Sequence, residues 1–250
     1  MNIFISANNT NCGKTYATLK LIKKFSQMGY KVGVMKPIET GVDKYPVDGN
    51  TLFEEAKKHN PALSSLNLND IVPIQFKLPA APYVAGTADL KKIQSAYKKI
   101  KPLCDILFIE GAGGVRVPIR VEKEEGRREK EEEKSEKWRV PSSKFQGPRS
   151  RFQVSGSKRM ENENRDWIEM WELSKIFDAK LFLVISSKLG MINDFLLNKY
   201  FLDSQKIDYL WAVNLFDESY FEITHPFLKN FNPLILQRDL DKIAKKLLGE

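Results

Sequence analysis

The chain has 250 residues, 42% of them hydrophobic, with a formal net charge of +8 and two cysteines. That length buries a substantial core in one domain without disulfide staples, and Cys12 and Cys104 are too few for a disulfide framework, which suits a reducing cytosol. No apolar run approaches the roughly 20 residues of a membrane helix. The lysines scatter over helix faces, as at Lys91, Lys92, Lys98, Lys99 and Lys101, which reads as a solvated face rather than a nucleic-acid footprint.

The elements alternate in chain order. Asn2–Ser6 is a predicted strand, with no room for a signal peptide before it, so the chain reads as soluble and cytoplasmic. Lys14–Met28 follows as an amphipathic helix with Ala17, Leu21, Ile22 and Phe25 on one face, closed by Gly29. Lys31–Met35 is the next strand and Thr51–His59 a short helix. Asp89–Lys101 is helical with Asp89 as N-cap. Asp105–Ile109 reads as a strand, Trp167–Phe177 as a helix and Leu181–Ile185 as a strand. Met191–Ser204 is helical, Tyr209–Val213 and Leu234–Leu236 are strands, and Leu240–Leu248 is a last helix. Short apolar strands separated by helices imply an α/β fold, a mainly parallel central sheet with helices on both faces. Ligands bind such sheets at the carboxyl ends of the strands.

One stretch breaks the alternation. From about residue 121 to 164 the chain is rich in Glu, Lys, Arg and Ser and poor in aliphatic residues. Such a composition buries too little apolar surface to offset its ordering entropy, so a disordered insertion in a single domain is expected.

Chemistry-bearing residues gather at strand ends. After the first strand, Asn8, Asn9, Thr10, Asn11 and Cys12 lead into Gly13-Lys14-Thr15 and a helix. Strand, loop, Gly-Lys-Thr and helix form the context of a phosphate-binding P-loop, although the usual pattern has glycine where this chain has Asn8. Backbone N–H groups and the helix dipole surround a polyphosphate there, with Lys14 on the terminal phosphates and Thr15 on Mg²⁺. Lys36 and Thr40, in Lys36-Pro37-Ile38-Glu39-Thr40-Gly41, either meet an anion beside the phosphates or form an ordinary turn. Asp48 is either a helix N-cap or a carboxylate for Mg²⁺. Glu110, delivered by an apolar strand into Gly111-Ala112-Gly113-Gly114, is placed like a second metal carboxylate beside a nucleotide. Lys188-Leu189-Gly190-Met191-Ile192-Asn193 is either a second anion site or a plain strand–helix connection. Asn214 is placed either to read a nucleobase through its amide or as a loop residue. His59 and His225 are isolated, which argues against zinc.

Taken in order, Gly13-Lys14-Thr15, Lys36-Pro37 with Thr40-Gly41, Glu110 to Gly114 and Lys188 to Asn193 form a set that resembles the dethiobiotin synthetases, over residues 1–120 and again from about residue 166. The resemblance implies a three-layer P-loop fold and a homodimer that uses MgATP, 7,8-diaminononanoate and CO₂, with no nucleic acid and no membrane. It implies that a carbamate on one amine is activated as a carbamic–phosphoric anhydride and that the second amine closes the ureido ring. By matched position, Asn9 to Tyr16 would bind the nucleotide, including Thr10, Asn11, Cys12 and Gly13, and Lys14 would stabilise charge on the γ-phosphate. Thr15, Asp48 and Glu110 would hold Mg²⁺. Lys36 and Thr40 would bind the carbamate, Gly113 and Gly114 would line the substrate, and Asn214 would contact adenine. Gly190 and Asn193 would receive the substrate carboxylate from across the dimer. Members of that family usually carry glycine at the position of Ala7 and acids at those of Asn9 and Asn11.

Three other functions compete. A related P-loop amidoligase shares the Glu-Gly-Ala-Gly-Gly run. A nucleotide-driven positioning ATPase would use the apolar face of Leu240, Ile243, Ala244, Leu247 and Leu248 against a membrane, but such ATPases carry a second lysine where this chain has Asn9. An RNA-binding domain would need exposed aromatics among the basic residues.

Overall fold

The computed structural model describes residues 1–122 and 166–250, so the expected disordered insertion lies almost wholly outside the described residues. Residues 1–121 and 167–250 form one compact unit. In chain order it contains Asn2–Ala7 (β1), Lys14–Gln27 (α1), Val32–Met35 (β2), Ile38–Thr40 (β3), Val47–His59 (α2), Leu68–Ile71 (α3), Ile74–Phe76 (β4), Pro82–Ala85 (α4), Thr87–Ala88 (β5), Leu90–Ile100 (α5), Ile106–Glu110 (β6) and Pro118–Val121 (β7). Then come Trp167–Glu169 (β8), Glu172–Ile176 (α6), Lys180–Ser186 (β9), Met191–Ser204 (α7), Tyr209–Asn214 (β10), Tyr220–Ile223 (α8), His225–Leu228 (α9), Leu234–Ile235 (β11) and Leu240–Leu248 (α10).

Six strands form the central sheet in the order β11-β10-β9-β1-β6-β2, every pair parallel. Parallel strands covered on both faces need unbroken apolar runs. Ile106 to Ile109 and Leu181 to Ile185 supply them, all buried. The helices flank the sheet: α1 packs on β1 and β6, α5 on β2, α6 on β1 and α7 on β9. From β1 the chain runs out to β2, comes back to β6 on one side of β1 and later adds β9 on the other. The order therefore reverses at β1, and a crevice opens at its carboxyl end, where the loop before α1 sits.

The apolar face of α10 is used inside the fold. Ile243, Ala244 and Leu247 are buried, and α10 packs on α1 with Lys24 paired to Asp241. No helix among the described residues is long and apolar enough to cross a membrane.

Two expected helices have different bounds. α2 begins at Val47 rather than Thr51, because Pro46 sets the entry to the helix and the Glu39 carboxylate accepts the N–H groups of Asp48 and Gly49. Asp48 therefore lies inside the first turn and is not the N-cap. Residues 167–169, expected to be helical, instead pair antiparallel with β7, Pro118 opposite Glu169 and Arg120 opposite Trp167. Arg116 and the Trp171 indole N–H anchor the Glu169 carboxylate at 2.7 and 2.6 Å, and the helix is confined to Glu172–Ile176. Tertiary pairing overrides local periodicity here.

Candidate active site

The loop from Asn8 to Gly13 turns β1 into α1 through two residues of positive φ, Asn11 at 56° and Gly13 at 86°. Asn tolerates that region and glycine occupies it freely. Gly13 is required twice over: a Cβ there would also stand 2.1 Å from the Asn214 amide nitrogen. No side chain caps α1, so its first backbone N–H groups face the crevice without a side-chain partner. Lys14 is buried beneath them, and its ammonium reaches only the Asn9 carbonyl, at 3.5 Å, among the described residues. Burial, and then the charge of Lys36, hold that ammonium below its ordinary pKa. Uncapped backbone N–H groups above a buried ammonium suit an anion.

The neighbouring strands bring the partners of that anion. Glu110 ends β6 fully buried. One of its oxygens accepts from the Thr15 hydroxyl at 2.9 Å and from the Lys36 ammonium at 2.7 Å, and the other accepts from Thr18 at 2.8 Å. Lys36, just past β2, also lies 3.5 Å from Asp48. Burial opposes the charge of both Glu110 and Lys36, but each outweighs it for the other. The carboxyl sits below its ordinary value and the ammonium above. Asp48 and Glu110 thus flank one ammonium, and Thr15 joins them through Glu110. Two carboxylates and a hydroxyl are hard oxygen donors, too few to enclose a cation alone but suited to Mg²⁺ that completes its shell with phosphate oxygens and water. Among the described residues no three His, Cys, Asp or Glu side chains gather as a closed metal cluster.

These groups open into a cavity of about 940 Å³, lined by Thr10, Asn11, Gly13, Lys14, Thr15, Tyr16, Lys36, Thr40, Asp48, Gly113 and Asn214, with Pro79 to Pro82 on one rim and Phe216 on another. That is the size of a small-molecule site. Asn9, Cys12 and Glu110 lie outside it, Glu110 being fully buried behind Thr15 and Lys36. Cys12 is buried, with its thiol pushed up by that burial, and serves the loop as a small apolar wedge. Gly114 also lies outside, packed so that a Cβ would come within 3.2 Å of the Asn8 carbonyl oxygen. Gly190 and Asn193 are exposed at the start of α7 and do not line the cavity. Gly190 has φ 89° and no side chain caps the helix.

Asn214, at the end of β10, is buried with both ends of its amide engaged. Its nitrogen donates to the Cys12 carbonyl at 3.0 Å and its oxygen accepts from Gln237 at 2.7 Å. It braces the loop from behind as well as facing the cavity.

Four contributors escaped the sequence reading. Glu39 holds the start of α2. Thr18 is one turn beyond Thr15, and a second hydroxyl at that spacing was a visible sign. Asn8 joins the loop to β9 and α7, accepting from Ser186 N–H at 3.2 Å and donating to Asp194 at 3.0 Å. Gln237 carried no local signal.

A family model described as an AAA domain matches residues 1–124. The ATP-dependent dethiobiotin synthetase BioD of Sulfurovum sp. (strain NBC37-1) is 34% identical, over 90% of this chain and 89% of its own. The chain belongs to the dethiobiotin synthetase family. The dethiobiotin synthetase of Wolinella succinogenes is 28% identical over 99% of this chain and 98% of its own. Among solved structures, the MinD cell division protein of Aquifex aeolicus aligns over 98% of this chain and 86% of its own at 13% identity, with a TM-score of 0.44, too slight a likeness to bear on function.

Proposed function

We propose that the protein forms dethiobiotin by ATP-dependent ring closure of 7,8-diaminononanoate with CO₂. The observation that carries this reading is the meeting of Lys14, Lys36 and the first turn of α1 in one cavity, with Glu110 buried behind Lys36 and Thr15, in a chain from that family. The first amine of the diamine combines with CO₂, losing a proton, and gives a carbamate. Lys36 and Thr40 bind its oxygens and aim one of them at the γ-phosphorus of ATP. That oxygen forms the new P–O bond as ADP departs, and Lys14 stabilises the charge that builds on the transferred phosphoryl group. The second amine then attacks the carbamoyl carbon of the mixed anhydride, expels phosphate and releases a proton, which closes the ureido ring.

Thr15, Asp48 and Glu110 are the residues that would hold Mg²⁺. When bound, the ion neutralises phosphate charge. Lys36, which pairs with Glu110 in this structure, would be the ammonium that turns to the carbamate. Asn9 to Tyr16 wrap the triphosphate with backbone N–H groups, Gly113 lets the substrate approach the backbone, and Asn214 supports the loop under the base. A homodimer is supported by exposed apolar side chains on α7, Leu197 and Tyr200, and by the fully exposed Leu189 in the loop that precedes it. A second copy placed there would offer Gly190 and Asn193 to a substrate carboxylate.

Mass spectrometry of the product decides the reading. ATP should be consumed only when diamine and bicarbonate are both supplied, with dethiobiotin as product. ATP turnover indifferent to the diamine would instead indicate an amidoligase with another substrate or a nucleotide switch.

A further inference from the structure

Glu39 lines the cavity between Lys36 and Asp48, yet both of its carboxylate oxygens are engaged by the backbone of the helix that carries Asp48. It sits in the middle of β3, three residues after Lys36, and is buried. Its two carboxylate oxygens accept the backbone N–H groups of Asp48, at 3.0 Å, and Gly49, at 2.9 Å. These are the second and third residues of α2, whose entry residue, Pro46, offers no side-chain cap. Two donors that a helix start leaves orphaned are thus met by one carboxylate from the preceding strand.

The fit is close. A Cβ on Gly49 would stand 2.0 Å from a Val72 methyl and 3.2 Å from the Glu39 oxygen, so the helix start can seat on Glu39 only because residue 49 is glycine. The loop before it, by contrast, exposes Asp43, Lys44 and Tyr45. The Asp48 side chain is itself about half exposed and meets only Lys36, at 3.5 Å, among the described residues. Its placement therefore depends on its own backbone, which Glu39 pins.

We infer that Glu39 is a positioning residue for the metal site: it fixes Asp48 so that its carboxylate and that of Glu110 face the same Mg²⁺, and it thereby sets how tightly the magnesium form of the nucleotide is held. The inference rests on Asp48 being the metal-side carboxylate. Groups that orient a metal ligand typically change metal affinity 10- to 100-fold when removed.

The test is calorimetric binding of ADP to the full chain, first in EDTA and then across a Mg²⁺ titration, for wild type, Glu39→Gln, Glu39→Ala, Asp48→Asn and the Glu39→Gln/Asp48→Asn pair. Both Glu39 variants should raise the Mg²⁺ concentration for half-maximal enhancement about tenfold or more, while ADP affinity in EDTA stays at the wild-type value. The paired variant should be no worse than Asp48→Asn alone, because both changes remove the same interaction. A Glu39→Gln protein that melts earlier but keeps the wild-type Mg²⁺ response, while Asp48→Asn loses it, makes Glu39 a helix cap only and overturns the inference. An unaltered Mg²⁺ response in Asp48→Asn overturns it together with the reading of Asp48 on which it rests.

Discussion

Replacing Lys36 by Met should destabilise the protein in a way that depends on pH with a definite sign. The ammonium is 3% exposed, and Glu110, 2.7 Å away, is fully buried. Removing one partner of such a pair leaves an uncompensated buried charge, which costs about 3–5 kcal/mol. In the wild type the Glu110 carboxyl is held below its ordinary value, so its stabilisation is present above the unfolded pKa and is lost only as pH falls through the folded one. Burial is the largest single influence on this carboxyl and Lys36 is the next, ahead of Thr18 and Lys14. Without Lys36, burial prevails and the carboxyl moves above its ordinary value. The folded variant then binds a proton that the unfolded chain does not, and its stability falls as pH rises. The gap between variant and wild type should therefore be widest near pH 8 and narrow toward pH 5. Urea unfolding in EDTA at both pH values measures it, and Lys36→Met/Glu110→Gln should recover part of the loss at pH 8. An equal loss at pH 5 and pH 8 would refute the reasoning, because it would mean that Glu110 is not an isolated charge once Lys36 is gone.

The same Lys36→Met protein should bind ATP normally and make no dethiobiotin, as read by calorimetry beside the product assay. Lys14→Ala should lower turnover about 10²- to 10³-fold, the usual loss for one group that stabilises transition-state charge, and weaken ATP binding. Gly13→Ala forces a Cβ into a left-handed residue and against the Asn214 amide, 2.1 Å away. The backbone penalty of about 1–2 kcal/mol and the broken Asn214 bond to Cys12, about 1–3 kcal/mol, add to about 2–5 kcal/mol. Chemical denaturation should show that loss, and nucleotide binding should fall with it. Asp89→Ala, far from the cavity, should cost about 1 kcal/mol, because the Asp89 carboxylate caps α5 by accepting from Lys91 and Lys92 N–H, and should leave turnover unchanged.

The central sheet was legible because its strands are apolar without interruption and its helices carry clear stops. Met191–Ser204 and Leu240–Leu248 have the bounds the periodicity predicts, the first preceded by Gly190 and the second followed by Gly249, both with positive φ. The small sheets were not legible. Ile38–Thr40 pairs with Ile74–Phe76, and Thr87–Ala88 with Pro118–Val121, across tens of residues and with too few side chains to show a period. At the site, Lys14, Lys36 and Glu110 announced themselves at the ends of strong strands. Glu39 lay inside the quoted run from Lys36 to Gly41 and still gave no sign of its task, because its partners are backbone N–H groups of a helix that the spacing placed four residues too late. Gln237 reaches Asn214 from 23 residues away in sequence, a distance at which no local pattern informs.

The loop itself shows why its unusual residues are tolerable. Ala7 is the buried last residue of β1, in strand geometry that alanine adopts without strain. The next residue, Asn8, has its backbone N–H on the Val184 carbonyl and its side chain on Ser186 and Asp194, which ties the loop to β9 and α7. Val115 N–H closes on the Ala7 carbonyl from the glycine-rich turn, with Gly114 packed against it, and Asn214 holds Cys12 from β10. The curvature that a glycine would permit is imposed instead by three neighbouring strand ends. Asn9 and Asn11 then stand at the exposed tip, where their neutral side chains would bring no negative charge toward a phosphate. What the loop must keep for phosphate is its backbone N–H groups, Gly13 and Lys14, and those are the parts its neighbours hold in place.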